Sequence, residues 1–234
     1  MYQVPLKIAS TIVGPDRLLS VPGFFRVFQD AAVEDVERIG YEAAKTMGMG
    51  LLWVFSRVHV RFHELPAYLS EVTLETHPGP KKAFLFPRYA SLKDAQGRKL
   101  VEASSIWALI HEDTRKLEMR PALGDADDTD GSEMPLPEKV VARPASYRFH
   151  KTITYADLDL NGHMNNVRYV ETIMDLHDAA FYQKYMVSEL LIQYESEIRE
   201  GDNLEVFVDE ENSYVRGVVG DRIAFEANIK YRLK

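Results

Sequence analysis

The chain has 234 residues, 46% of them apolar, a formal net charge of −8 and no cysteine. That is enough chain to bury a substantial core in one large domain or two small ones. The lack of cysteine excludes disulfides, thiolate metal centres and a cysteine nucleophile, the acidic balance argues against nonspecific nucleic-acid binding, and no stretch approaches the ~20 apolar residues of a membrane span.

The N-terminus MYQVPLKIASTIVG has no basic start leading into a long apolar run, so a cytoplasmic location is expected. Residues 23–48 (GFFRVFQDAAVEDVERIGYEAAKTMG) predict an amphipathic helix with Phe24, Phe28, Ala31, Ala32, Val36 and Ile39 on one face. Four strands are predicted next: LLWVFSRVHVRF (51–62), SEVTLETH (70–77), AFLFPRYASL (83–92) and KLVEASSIWALIHE (99–112), with turn signals such as Asp94 to Gly97 between them. Residues 123–145, including the acidic, proline-punctuated GDADDTDGSEMPLPEKVVARPA, predict a linker dividing 1–122 from 146–234. The second segment repeats the order: a helix over 166–186 (NVRYVETIMDLHDAAFYQKYM), then the strands SELLIQYESEI, NLEVFVDEE, SYVRGVVG and RIAFEANIKYRLK.

This order suggests a duplication. Placing Phe62 on Tyr194 sets SEVTLET against DNLEVFV, and VEASSIWALI matches FEANIKYRLK once a shorter hairpin is allowed. In that alignment Asn161, Gly162 and His163 fall on Gln29, Asp30 and Ala31, and Glu197 falls on Leu65. The polar cluster therefore belongs to the second half only, which points to a site there and to an apolar role for the first half. A helix followed by an antiparallel sheet of four or five strands, twice over, is the α+β pattern of a tandem, or double, hotdog: two long helices, each wrapped by a sheet.

The stretch TYADLDLNGHMNNVRYVE, residues 154–171, concentrates Asp, Asn, Gly and His at the mouth of the second helix. Turn and helix-cap chemistry is one account, since these are cap and turn residues. The other is functional: free N–H groups at a helix start can polarise a carbonyl, while His163, Asn161 and Asp159 supply a titratable group and its orienters.

These residues, together with QDAAVEDVERIG, LLWVFSRVHVRF and VEASSIWALIHEDTRKL, resemble the acyl-acyl-carrier-protein thioesterases of plants and bacteria, over almost the whole chain. The resemblance implies a double hotdog that hydrolyses the thioester of a fatty acyl carrier protein, ending chain elongation with release of a free fatty acid. It carries the catalytic residues onto Asp159, Asn161, His163 and Glu197, the last in QYESEI. Ile198 stands where many plant members have Cys beside that Glu, which favours the Glu as the essential group. The implied roles are Glu197 as base or nucleophile, His163 orienting thioester or water, Asp159 fixing the His ring, and Asn161 holding water or carbonyl. Backbone N–H groups near Asn165 and Asn166 would complete an oxyanion site. Glu195, two residues before Glu197, would share its strand face, so an exposed strand rim is the competing account of Glu197.

Trp53 and Trp107 read as core residues, and the resemblance adds an acyl pocket built from the first half. His59 and His63 share a strand face, but no third ligand has convincing spacing, so no metal is expected, and no cofactor. Lys81, Lys82, Arg88, Arg115, Lys116 and Arg120 read as a solvated face, some of which could dock an acidic acyl carrier protein. No nucleic-acid or membrane partner is expected, and a homodimer stays open. An acyl-CoA thioesterase and a catalytically inactive acyl-binding module are the alternatives. A hydratase fits less well, because no second acid is placed for adding water across a double bond.

Overall fold

The computed structural model describes residues 1–40, 43–124 and 126–234. The chain divides into two compact units, Met1–Pro137 and Glu138–Lys234.

Unit 1 begins with β1 (Tyr2–Lys7) and a 3-10 turn at Ser10–Ile12, followed by α1 (Val21–Arg38) and α2 (Ala43–Gly48). Then come β2 (Leu51–Phe62), β3 (Glu71–Pro78), β4 (Leu85–Lys93) and β5 (Lys99–His111). The strands pair antiparallel in the order β1-β3-β4-β5-β2. Unit 2 has β6 (Ser146–Thr152), a 3-10 turn at Tyr155–Asp157, α3 (Asn166–Met174), α4 (Ala179–Lys184), β7 (Tyr185–Tyr194), β8 (Asn203–Val208), β9 (Tyr214–Val219) and β10 (Arg222–Leu233). Its order, β6-β8-β9-β10-β7, is that of unit 1 strand for strand. The internal repeat is thus present in the topology of each half.

Neither helix runs as far as its apolar pattern suggests. The first ends at Arg38, with Gly40 at φ +82°, and of the predicted span Tyr41 and Glu42 lie outside the described residues. The second stops at Met174 and restarts at Ala179 under a new cap, Asp178, whose side chain accepts the Phe181 N–H. Apolar periodicity does not register a break that keeps the next turn on the same face. The edge strands β1 and β6 were not predicted; short and half-exposed, they carry little apolar signal.

Burial of α1 against its sheet supplies the core of unit 1. Phe24 meets the Phe62 ring at 5.8 Å and Phe28 meets Phe55 at 6.3 Å, and each fully buried Phe contributes about 1.5–3 kcal/mol. The expected helix face holds through Ala32, after which Asp35, with no exposure, takes the deep position in place of Val36. The Asp35 carboxylate accepts from Arg88 Nη1 at 2.8 Å, and Arg88 also donates to Thr76 Oγ1 at 3.2 Å. Arg88 is therefore a buried structural cation and not part of a solvated face. Burial pulls its guanidinium pKa down, and Asp35 opposes that by favouring the charged form.

Residues of the predicted linker form no helix or strand among those described, yet they are tied down on both sides of Pro137. In unit 1, Glu133 accepts from the buried His77 at 3.0 Å and the Pro135 carbonyl from Ser104 at 2.7 Å. In unit 2, Arg143 donates to Ser213 at 2.9 Å.

Candidate active site

The polar run folds as a tight turn before α3. Leu158 and Met164 form an isolated bridge, the Asp159 N–H donates to the His163 carbonyl at 2.8 Å, and the Gly162 N–H donates to the Asp159 carbonyl at 3.0 Å. Gly162 sits at φ +74°, where a residue without Cβ is unstrained. The Asp159 side chain accepts the backbone N–H of Asn161 at 2.8 Å and of His163 at 3.4 Å. Asp159 thus shapes the backbone that presents His163, and does not hold the imidazole ring as expected. A short carboxylate closing its own turn is an Asx-type contact, available at lower cost than a reach to the ring.

His163 itself is buried, and its Nε2 lies 3.1 Å from Glu197 Oε2. Glu197 comes from loop 195–202, just past the end of β7, not from the strand. The strand alternation that would place Glu195 and Glu197 on one face has ended at Tyr194: Glu195 is exposed and bonded to Gln193, whereas Glu197 is half-buried and turned to His163. The Met164 N–H donates to the Ile198 carbonyl at 2.8 Å, joining the residues that follow His163 and Glu197. Ile198 itself is fully buried.

Asn161 is exposed, and its side-chain amide makes no hydrogen bond to another described residue. Asn165 is the N-cap of α3, its side chain accepting the Val167 N–H at 2.9 Å. Its own N–H is taken by the Asp157 carbonyl at 2.9 Å, so it is not an oxyanion donor. Asn166 opens the helix, where backbone N–H groups lack intrahelical acceptors.

Two residues were not picked out from sequence. Asp157 is buried, receives Lys151 Nζ at 2.7 Å and completes a capping box with Thr154; that T-x-x-D spacing was its legible signal. Burial raises its carboxyl pKa, but the Lys151 bond and the Thr154 bonds outweigh that and hold it below the ordinary value. Tyr169, one turn into α3, packs edge-on against Tyr194 and Phe225; burial pushes its phenol up, opposed by the Ile198 N–H and reinforced by the Glu197 and Asp159 charges. It stays protonated beside the carboxylate.

In unit 1 the sequence-predicted tryptophans share one sheet face, since Trp53 opposes Leu109, and Phe55 opposes Trp107. The Trp53 ring meets Phe86 at 4.9 Å and packs on Leu51, Leu109 and Leu123, while Trp107 lies 3.7 Å from Phe55 with its Nε1 bonded to Ser105 Oγ at 3.0 Å. Trp53 Nε1 is enclosed without a partner among the described residues. His63 pairs with Glu102 at 2.8 Å, and no described group of three or more His, Asp or Glu could hold a metal ion. No described helix is long and apolar enough to cross a membrane.

The turn in unit 2 has a twin in unit 1. There Val13 bridges Leu19, the Gly14 N–H donates to the Leu18 carbonyl, the Arg17 N–H to the Gly14 carbonyl, and the Leu19 N–H to the Pro66 carbonyl. Arg17, at φ +61°, stands where unit 2 has Gly162. Downstream, the His63 and Glu64 N–H groups share the Leu100 carbonyl as those of Glu195 and Ser196 share that of Ala224. This bonding sets Leu18 opposite His163, Gly14 opposite Asp159 and Asp16 opposite Asn161, and keeps Leu65 opposite Glu197. The polar run therefore matches the loop before α1, not Gln29 to Ala31 inside it. The sequence alignment slid because α1 spans 18 residues and α3 spans 9.

Two family models match the chain: the acyl-ACP thioesterase N-terminal domain over residues 1–121 and the C-terminal domain over residues 142–231. The dodecanoyl-[acyl-carrier-protein] hydrolase of Cinnamomum camphora is 27% identical over 220 residues, covering 84% of this chain and 56% of that protein. The oleoyl-acyl carrier protein thioesterase 2 of Arabidopsis thaliana is 24% identical, covering 86% of this chain and 60% of its own length. The chain thus spans well under two thirds of these relatives. Among solved structures, an acyl-ACP thioesterase from Bacteroides thetaiotaomicron superposes with a TM-score of 0.85 at 23% identity, over 98% of this chain and 97% of that one. The 12:0-ACP thioesterase from Umbellularia californica gives 0.80 at 22% identity, over 100% and 97%. The fold is the double hotdog these structures share.

Proposed function

Because the chain belongs to the acyl-ACP thioesterase family, we propose that it hydrolyses the thioester of a fatty acyl carrier protein, releasing free fatty acid. The observation that carries this reading is the His163–Glu197 pair at 3.1 Å, in a turn whose twin in unit 1 holds Leu18 and Leu65. Shared fold chemistry accounts for the turn in both units; it does not account for a titratable pair in one of them.

Glu197 takes a proton from the attacking water as its oxygen bonds to the thioester carbonyl carbon. Collapse of the tetrahedral intermediate breaks the C–S bond, and the proton leaves with the carrier thiol. His163 Nε2, 3.1 Å from Glu197 Oε2, orients the carboxylate toward the water. Asn161, with its amide uncommitted, is assigned to the water or the carbonyl oxygen, and the Asn166 N–H to the developing oxyanion. The apolar surface around Trp53 and Trp107 is the part of the chain suited to a fatty-acyl tail.

The test is hydrolysis by the purified protein of matched acyl chains carried by acyl carrier protein and by coenzyme A, following released thiol and fatty acid. Faster turnover of the carrier-protein substrates is expected. Preference for coenzyme A would move the assignment to an acyl-CoA thioesterase, and binding without cleavage of either would make the protein an acyl-binding module.

A further inference from the structure

Resting on the thioesterase reading, we propose that Arg222 is a positioning residue that holds Glu197 against His163. Glu197 lies beyond the end of β7, in the loop that leads to β8. Arg222, the first residue of β10, reaches across to loop 195–202. Its Nη1 donates to the Glu197 carbonyl at 2.5 Å and to Ser196 Oγ at 2.9 Å, and its Nη2 donates to Asp202 Oδ2 at 3.1 Å. The receiving groups are themselves anchored: Ser196 Oγ donates to the Ile223 carbonyl at 2.7 Å, and Asp202 Oδ2 also accepts the Arg199 N–H at 2.9 Å. One planar fork thus joins the residue carrying the carboxylate to points on both sides of it, a geometry that a single ammonium cannot reproduce.

Unit 1 provides the contrast. The bonding that sets Leu100 opposite Ala224 sets Arg98 opposite Arg222. Arg98 spends its fork on the side chains of Asp94 and Glu64, at 3.0 and 2.8 Å, and makes no hydrogen bond to the carbonyl of Leu65. The arginine occurs in both units, but its grip on the main chain occurs only where that main chain carries a carboxylate aimed at a histidine.

Misplacing a reacting group by about 1 Å can cost on the order of 10²-fold in rate, so the role should show in kcat and not in substrate affinity. The experiment measures kcat, KM and thermal unfolding on acyl carrier protein substrate for wild type, Arg222→Ala, Arg222→Lys, Asp202→Asn and Glu197→Ala. Arg222→Ala should lower kcat roughly 10- to 100-fold with KM within about twofold, and Arg222→Lys should recover part of that loss. Asp202→Asn frees one arm of the fork without opening a cavity, and should lower kcat severalfold in the same direction. A raised KM with kcat kept would mean that Arg222 meets the carrier, and would overturn the proposal. So would unchanged kinetics in Arg222→Ala while Glu197→Ala is inactive, or activity losses that merely follow melting losses across the Arg222 and Asp202 variants. A wild-type protein inactive on every thioester overturns the thioesterase reading itself, and this role with it.

Discussion

The turn before α1 and the turn before α3 are built by the same backbone bonds, from the bridge that closes each to the residue with positive φ near its tip. One holds Gly14, Asp16 and Leu18 and faces Leu65; the other holds Asp159, Asn161 and His163 and faces Glu197. Within one molecule, the fold has been made with and without the histidine–glutamate pair. The comparison separates two things that a single copy confounds: what the turn requires, and what has been added to it.

The largest expected effect comes from removing what was added. His163→Ala should lower turnover of acyl carrier protein thioesters by about 10²-fold or more, and Asn161→Ala somewhat less, since its amide is exposed and uncommitted to the fold. Melting temperatures should move little. The matching change in unit 1, Leu18→Ala, should do the reverse and cost stability while leaving activity per folded molecule intact. Steady-state rates measured beside thermal unfolding would break the comparison if both positions behaved alike.

Next in size is the division of labour between the units. Shrinking Trp53, which packs on Phe86 and Leu123, should shift preference toward longer acyl chains. At about 0.8 kcal/mol per buried methylene, room for two or three more carbons is worth one to two orders of magnitude in relative kcat/KM. A product profile that answers only to changes in unit 2 would contradict the assignment.

A smaller effect concerns Asp157, whose folded-state carboxyl lies below its ordinary pKa because the Lys151 and Thr154 bonds outweigh burial. A group depressed in this way contributes stability that is present above its unfolded pKa and is lost as pH falls through the folded one. Asp157→Asn should cost about 2 kcal/mol at neutral pH and flatten the acid limb of the stability curve, as read by denaturant unfolding between neutral pH and the carboxylate range. An acid limb as steep as that of the wild type would assign it to other carboxylates.

The smallest effect belongs to Ile198→Cys. The side chain is fully buried, so the change should cost about 1 kcal/mol of packing and bring no gain in rate. A faster enzyme would reopen thiol chemistry at that position.

Much of the fold was legible in the sequence. The long strands and the repeat follow from alternation and turn signals, and QYESEI marked Glu197 through family likeness. What escaped has local causes. Asp35 was hidden because a charged residue on an apolar helix face reads as a rim position, and its partner Arg88 lies far along the chain and itself reads as part of a solvated face. The match between the two turns was hidden because helices of unequal length shift the alignment. The turn hydrogen bonds that restore it are backbone bonds, to which side-chain patterns are blind.

The central claim is that the polar pair serves chemistry and the cage around it serves the fold. It is tested most directly by giving unit 2 the residues that unit 1 carries in the same cage. His163→Leu/Glu197→Leu should fold with a melting temperature equal to or above that of the wild type, since a buried polar or ionic pair exchanged for apolar groups of similar volume is often neutral or stabilising. Its turnover of acyl carrier protein thioester should fall by at least about 10²-fold. Retained turnover, or a collapse in melting temperature that accounts for the lost activity, would contradict the account.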